Sequence, residues 1–388
     1  MRAGLETLVN ELDRPPPIPN AADHPLLCVS QQAWDDAHPR LRHLLSRSGR
    51  QRRVVFVEAA VPTAGPPRID FEPKDGLVVA TPYLPRGLTG DEGDALLRSL
   101  LDGVVRELHL GGFFLWHDSP RALSACRHLK PAAVIYYDCA DGPRTPHDGE
   151  DLLREEALRR ADAVFVDAPG RYLARDLGAR AHLLPNGVDA PHFTRARDGG
   201  PDPADQRDIP GRRLGFYGPL DDIDVDLLVA VADLRSDYHI ILLDHGSGPD
   251  RPRLPRRPNI HELGRKAYAE LPAYLAGWDV ALLPYGHEAA RRRIQPTQTL
   301  EYLAAGKPVV STPIRDVINP YAIQGLVAIA DQPEDFVIAV ACELHRGDRR
   351  RWLQRVDSCL RGSSWDHTWT AMEAVLAGLA SSACGAST

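Results

Sequence analysis

QPTQTLEYLAAGKPVVS, residues 295–311, reads as a helix, a stop and the start of a buried strand. Thr297 or Thr299 can cap the helix by offering a hydroxyl to its free backbone N–H groups. Leu300, Leu303 and Ala304 recur at helical spacing as one buried stripe. Gly306 ends the helix, Pro308 prevents its continuation, and Val309 and Val310 open the strand. Glu301 falls in the first turns, where two roles stay open. It can complement the positive end of the helix, or it can accept hydrogen bonds from ribose hydroxyls while the helix start attracts a phosphate. In the second case the segment holds a nucleotide diphosphate.

Outward from this segment, short apolar runs alternate with longer amphipathic stretches. The runs are 26–30, 54–58, 77–81, 113–117, 134–138 and 163–167 in the first half, then 214–217, 240–244, 280–284, 309–312 and 326–330 in the second. Runs that are apolar at every position suit strands of a parallel sheet covered on both faces. Their alternation with helices predicts a doubly wound α/β fold, and its double occurrence predicts two Rossmann-like domains. A shared ligand is then expected in a cleft facing the strands' carboxyl ends. Residues 195–213, RARDGGPDPADQRDIPGRR, are polar and rich in Gly, Pro and Asp, which is linker composition. The expected division is a first domain over 1–194, a linker over 195–213, a second domain over 214–362 and a terminal helix over 363–380.

A chain of 388 residues with 43% hydrophobic and 26% charged content fits two soluble globular domains. Its net charge of −7 argues against broad capture of nucleic acid, which needs a basic face. Cys28, Cys126, Cys139, Cys342, Cys359 and Cys384 are scattered, with neither a C-x-x-C pair nor metal-ligand spacing. Reduced thiols in a cytoplasmic protein are the expectation. No apolar signal segment precedes the Pro-rich residues 15–19, and no apolar run is long enough to span a bilayer.

The second half resembles the nucleotide-sugar domain of family 4-type retaining glycosyltransferases, which have the GT-B architecture. The resemblance lies in LPNGVDAPHF (184–193), GFYGPLDD (215–222), RPNIHELGRKAYAELPAYLAGWDVALLPY (257–285) and PTQTLEYLAAGKPVVSTPIRDV (296–317). SWDHTWTAM (364–372) is similar to the family's terminal helix, which crosses back onto the first domain. Trp34, RHLLSR (42–47), VVFVE (54–58) and VIYYDCADG (134–142) are similar to one branch of the family, sometimes associated with UDP-galactopyranose mutase.

The resemblance implies that Glu301 binds the nucleotide ribose and that Arg292 helps neutralise the departing diphosphate. Gln298 stands at the position of the family's lysine. A neutral amide donates hydrogen bonds there but supplies no charge. A second basic position falls on Gly248, with Arg251, Arg253, Arg291 and Arg293 as nearby cations. Gly218, after the first strand of the second domain, either lets a phosphate or ribose approach the backbone or merely makes a turn before Pro219. Asn186 and Gly187 read first as a structural turn.

In the first domain, His117 and Asp138 end apolar runs, where a parallel sheet presents residues to a cleft. His117 can shuttle a proton or be a satisfied structural histidine. The candidate catalytic residues are thus His117, Arg292 and Asp138. The candidate donor contacts are Glu301, Gln298, Thr297, Thr299, Gly218 and Arg251. No metal site and no cofactor are expected. Asp222, Asp224 and Asp226 have an Asp-x-Asp spacing but sit at a helix start, and HGSG (245–248) lacks the third glycine of a dinucleotide loop. The basic stretch 40–53 reads as a solvated helix face rather than a lipid contact, although a peripheral membrane contact stays open.

The expected activity is transfer of a sugar from a nucleotide diphosphate sugar, UDP-sugar favoured, to an acceptor hydroxyl. By resemblance it retains anomeric configuration and needs no metal. A nucleotide-sugar-binding partner subunit and a GT-B epimerase or hydrolase are the alternatives.

Overall fold

The computed structural model describes residues 24–35, 37, 39–138, 150–167, 172, 178–244, 254–287 and 296–385. The chain divides into two units. The first comprises 1–167, 172–184 and 368–388, and the second 168–171 and 185–367.

The first unit is built on strands β1 (Leu26–Val29), β2 (Val54–Val57), β3 (Val61–Thr63), β4 (Arg68–Lys74), β5 (Leu77–Pro85), β6 (Phe114–His117), β7 (Ala133–Asp138), β8 (Ala163–Val166) and β9 (Ala181–Leu183). Their order is β3-β5-β2-β1-β6-β7-β8-β9, with β4 beside β5. All pairings are parallel except β4 with β5. That hairpin turns at Asp75-Gly76, whose φ values of 52° and 83° are what a two-residue turn of matching twist requires. The strands β1, β2, β6 and β8 are buried at every position, as their unbroken apolar runs predict. Helix Gly90–Glu107 starts with a Thr89/Glu92 capping box and lays Leu97, Leu101 and Val104 on Leu27, Val55 and Leu115.

The second unit contains β10 (Arg212–Gly218), β11 (Tyr238–Asp244), β12 (Ile260–Glu262), β13 (Val280–Leu283), β14 (Val309–Ser311) and β15 (Val327–Ile329). They form an all-parallel sheet in the order β12-β11-β10-β13-β14-β15. Strand order reverses between β10 and β13, and a doubly wound sheet binds its ligands at that point, beyond the strands' carboxyl ends. In the first unit the reversal falls between β1 and β6.

All eleven apolar runs are strands. The strands that the runs did not foreshadow are β3, β4, β9 and β12, none of which is buried at every position. The two units are Rossmann-like, as expected, but their boundary is not where composition placed it.

Residues 195–213 belong to the second unit instead of linking the two. Gln206 is fully buried, accepting from the Trp278 indole N–H at 2.9 Å and donating to the Tyr274 carbonyl at 3.1 Å. Asp202 is bound to Arg213, Asp205 takes Lys266 at 2.6 Å, and Arg197 reaches Asp357 at 2.8 Å. The polar residues that resemble a linker are polar because they make these bonds. The terminal helix runs over Trp365–Gly385 and joins the first unit from Thr368 onward. There Glu373 accepts from the Ser48 hydroxyl at 2.9 Å and pairs with Arg52. No helix among the described residues is long and apolar enough to cross a membrane.

Candidate functional site

In the second unit the candidate site gathers at the carboxyl end of β10. Helix Gln298–Ala304 is seven residues long and buried from Thr299 to Ala304. Its carboxyl end closes as the sequence predicts. Gly306 takes φ of 70° and its N–H donates to the Leu303 carbonyl at 2.8 Å, while the Lys307 N–H donates to Tyr302 at 2.9 Å. Arg197 and Arg349 donate to the carbonyls of Ala304 and Gly306.

The amino end differs from expectation, because neither threonine caps it. Thr297 is already helical (φ −58°, ψ −32°) and makes no side-chain cap bond. The turn closes through backbone, with Thr299 N–H donating to Pro296 at 3.1 Å and Leu300 N–H to Thr297 at 3.2 Å. Thr299 is fully buried and its hydroxyl has no hydrogen-bond partner among the described residues.

Glu301 lies at this end, 5% exposed. Its Oε2 accepts a hydrogen bond from the hydroxyl of Tyr217, the penultimate residue of β10. Tyr217 is itself held, its N–H donating to the Tyr302 hydroxyl at 3.0 Å. Burial pushes the Glu301 carboxyl up to about 8, and the nearby negative charge of Asp189 adds to the shift. Burial also raises the Tyr302 phenol. The carboxyl of Glu301 is therefore mostly neutral at physiological pH.

Gly218 follows with φ of 144°, and a Cβ there would approach the Gln298 amide nitrogen to 2.9 Å and Phe216 to 3.0 Å. Glycine thus leaves room for Gln298 at the strand end. Gln298 and Glu301, one helical turn apart, meet the last two residues of one strand. The fold brings together Gly218, Gln298 and Glu301 from the expected donor set. Arg251, Arg253, Arg291, Arg292, Arg293 and Gly248 lie outside the described residues, as does the HGSG stretch.

Asp224 caps helix Val225–Leu234, accepting from the Leu227 N–H at 2.9 Å, in keeping with the helix-start reading of the aspartate triplet. Gly187 is a packing glycine, since a Cβ there would stand 2.6 Å from the Trp365 backbone.

In the first unit, His117 ends β6 fully buried, its ring stacked on Tyr136 at 5.0 Å. Burial lowers its pKa to about 4, opposed in part by the Ser119 backbone, so the imidazole is neutral. Asp138 is buried at the end of β7 and pairs with Arg154 at 3.3 Å.

The residue after His117 was not among the expected site residues. Asp118 accepts from the Ser30 hydroxyl at 2.7 Å, and burial raises it to about 6. Ser30 follows β1, so this pair marks the strand-order reversal of the first unit. Its only sequence signal is a polar residue just past an apolar run.

The basic stretch is solvated only in part, with Arg50 exposed. Arg40 is buried, donating to the Tyr137 hydroxyl at 2.8 Å near Asp167. Arg42 meets Asp75 at 3.6 Å, Arg52 pairs with Glu373, and Arg53 donates to the Leu108 carbonyl at 2.8 Å.

The chain resembles known proteins in sequence and in fold. Residues 211–345 match the family model described as glycosyl transferases group 1. The chain is 26% identical over 262 residues to TuaH of Bacillus subtilis (strain 168), named as a teichuronic acid biosynthesis glycosyltransferase. That match spans 60% of this chain and 64% of TuaH's length. Among solved structures, sucrose-phosphate synthase (tll1590) from Thermosynechococcus elongatus superposes with a TM-score of 0.65 at 14% identity, over 92% of this chain and 99% of its own. An E. coli trehalose-6-phosphate protein bound with UDP-2-fluoro glucose gives 0.64 at 13% identity, with coverages of 92% and 99%. WaaG, a glycosyltransferase involved in lipopolysaccharide biosynthesis, gives 0.57 at 14% identity, with coverages of 90% and 98%. The fold is of the GT-B type, with two Rossmann-like domains.

Proposed function

We propose that this chain is a glycosyltransferase that moves a sugar from a nucleotide diphosphate sugar, with a UDP-sugar favoured, to an acceptor hydroxyl. One observation carries the reading: Glu301, Gln298 and Gly218 converge at the strand-order reversal of the unit that contains the glycosyl transferases group 1 match. A carboxyl beside a glycine-opened strand end suits a ribose and its phosphates. The UDP-2-fluoro glucose held by one fold relative supports the same donor class.

In this reading Glu301 binds the ribose hydroxyls and the Gln298 amide donates to the diphosphate. Arg292 and Arg251 are the cations proposed to balance the leaving group, because Gln298 cannot. The bond from the anomeric carbon to the diphosphate breaks and a bond to the acceptor oxygen forms, with loss of the acceptor proton. The first unit, in which Asp118 is raised to about 6 and hydrogen-bonded to Ser30 and in which His117 and Asp138 end strands, is the proposed acceptor domain. Retention of configuration and independence of metal follow the family resemblance. A glycan acceptor accords with the name of the Bacillus relative.

The test pairs binding with turnover. Thermal shift against UDP-, GDP- and dTDP-sugars identifies the donor, because a ligand that binds the folded state raises the melting temperature. Release of nucleoside diphosphate in the presence of a glycan acceptor then establishes transfer. Stabilisation by none of the three would overturn the donor site. Gln298 favours one alternative, a donor-binding partner subunit without turnover, and donor binding with no diphosphate release would support it.

A further inference from the structure

We propose that Tyr217 is a positioning residue of the donor site: its hydroxyl holds one oxygen of Glu301, leaves the other for the ligand, and makes donor binding release a proton. This rests on the donor reading above. Oε2 of Glu301 accepts from Tyr217, and among the described residues Oε1 has no hydrogen-bond partner yet is not sealed from solvent. The Tyr217 ring is buried and meets the Tyr302 ring edge-on at 5.2 Å, while its backbone N–H is tied to the Tyr302 hydroxyl. The carboxyl is thus clamped by a rigid strand residue and offers a single open oxygen.

The groups facing this carboxyl explain the proton. Asp189 contributes negative charge, Tyr217 contributes a hydroxyl donor, and no described cation compensates the carboxylate. A carboxyl in that setting keeps its proton near neutral pH, in line with its shift to about 8. Ribose hydroxyls that donate to Oε1 favour the carboxylate, so the proton passes to solvent as the donor binds. Tyr217 assists by donating to Oε2, and without it the charged form is harder to reach.

The sign is fixed by linkage. When the free carboxyl has the higher pKa and the bound one the lower, affinity falls as pH drops below the free value, by up to roughly tenfold per unit. It levels off above about 8. Binding of UDP-glucose, whose pyrophosphate diester does not titrate in this range, is measured calorimetrically from pH 6 to 8.5 in buffers of differing ionisation enthalpy. Wild type is expected to bind more tightly as pH rises and to release about one proton near pH 7. Tyr217→Phe keeps the ring against Tyr302 and is expected to weaken binding about five- to tenfold at pH 7, with its pH profile displaced upward. Glu301→Gln is expected to bind weakly with a flat profile. A wild type that binds while Tyr217→Phe matches it in affinity and profile would overturn the positioning role alone. A wild type that binds no UDP-, GDP- or dTDP-sugar at any pH would overturn the donor reading and this role with it.

Discussion

The Gln298 amide nitrogen lies where a Cβ on residue 218 would come within 2.9 Å of it, so Gly218 and Gln298 are fitted to each other across the strand–helix junction. Gly218→Ala must both displace that amide and hold φ near 144°, which L side chains rarely adopt. Holding such a backbone conformation costs about 1–3 kcal/mol. The expected result is a lower melting temperature for the second unit and a weaker dissociation constant for the donor. Alanine with wild-type values of both would refute the fit.

Glu301 gives stability a definite pH dependence. Its pKa in the folded protein is raised from 4.5 to about 8, so the folded state holds its proton the more tightly. Stability from this group is fully present below pH 4.5 and is lost as pH rises toward 8. Glu301→Gln removes the dependence, and relative to wild type it should gain on the order of 2–4 kcal/mol between pH 5 and pH 8.5. Chemical denaturation at the two pH values measures the difference, and an equal offset at both would contradict the assignment.

His117 carries the opposite sign. Burial lowers its pKa from 6.5 to about 4, so its contribution is complete above 6.5 and is lost as pH falls toward 4. Asp118 next to it is raised from 3.8 to about 6 and offsets part of this loss, because its own contribution grows as pH falls through the same window. His117→Gln should therefore make unfolding of the first unit less sensitive to acid, by roughly 1–3 kcal/mol between pH 7 and pH 4. An unchanged acid profile would mean that the imidazole is not buried in its neutral form.

Gln206 tests whether residues 195–213 are structural. Truncating Gln206 to alanine leaves the buried Trp278 N–H and the Tyr274 carbonyl without that partner. The cost should be about 2–4 kcal/mol. Arg207→Ala, at an exposed neighbour, should change stability by no more than about 0.5 kcal/mol. Urea unfolding compares them, and equal effects would restore the linker reading.

Much of the architecture was legible in local pattern. A strand buried on both faces must be apolar at nearly every position, so runs such as Val54–Val57 and Val280–Leu283 announce themselves. Arg68–Lys74, half-exposed at the sheet edge, carries charge along its length and escapes the same test. The boundary at 184/185 was not legible, because the bonds of Gln206 and Asp202 depend on partners as far away as Trp278.

For the site, the sequence by itself determined the helix, its glycine stop, the strand after it and the presence of Glu301 in its first turns. Those are local matters of backbone conformation and side-chain periodicity. Only the tertiary structure decided that neither threonine caps the helix, that Tyr217 clamps Glu301, and that Gly218 makes room for Gln298. It also decided which carboxyls are pushed toward neutrality, Glu301 and Asp118 among them. Protonation follows from burial and from charges distant in sequence, and those are set only when β10 and the helix pack together.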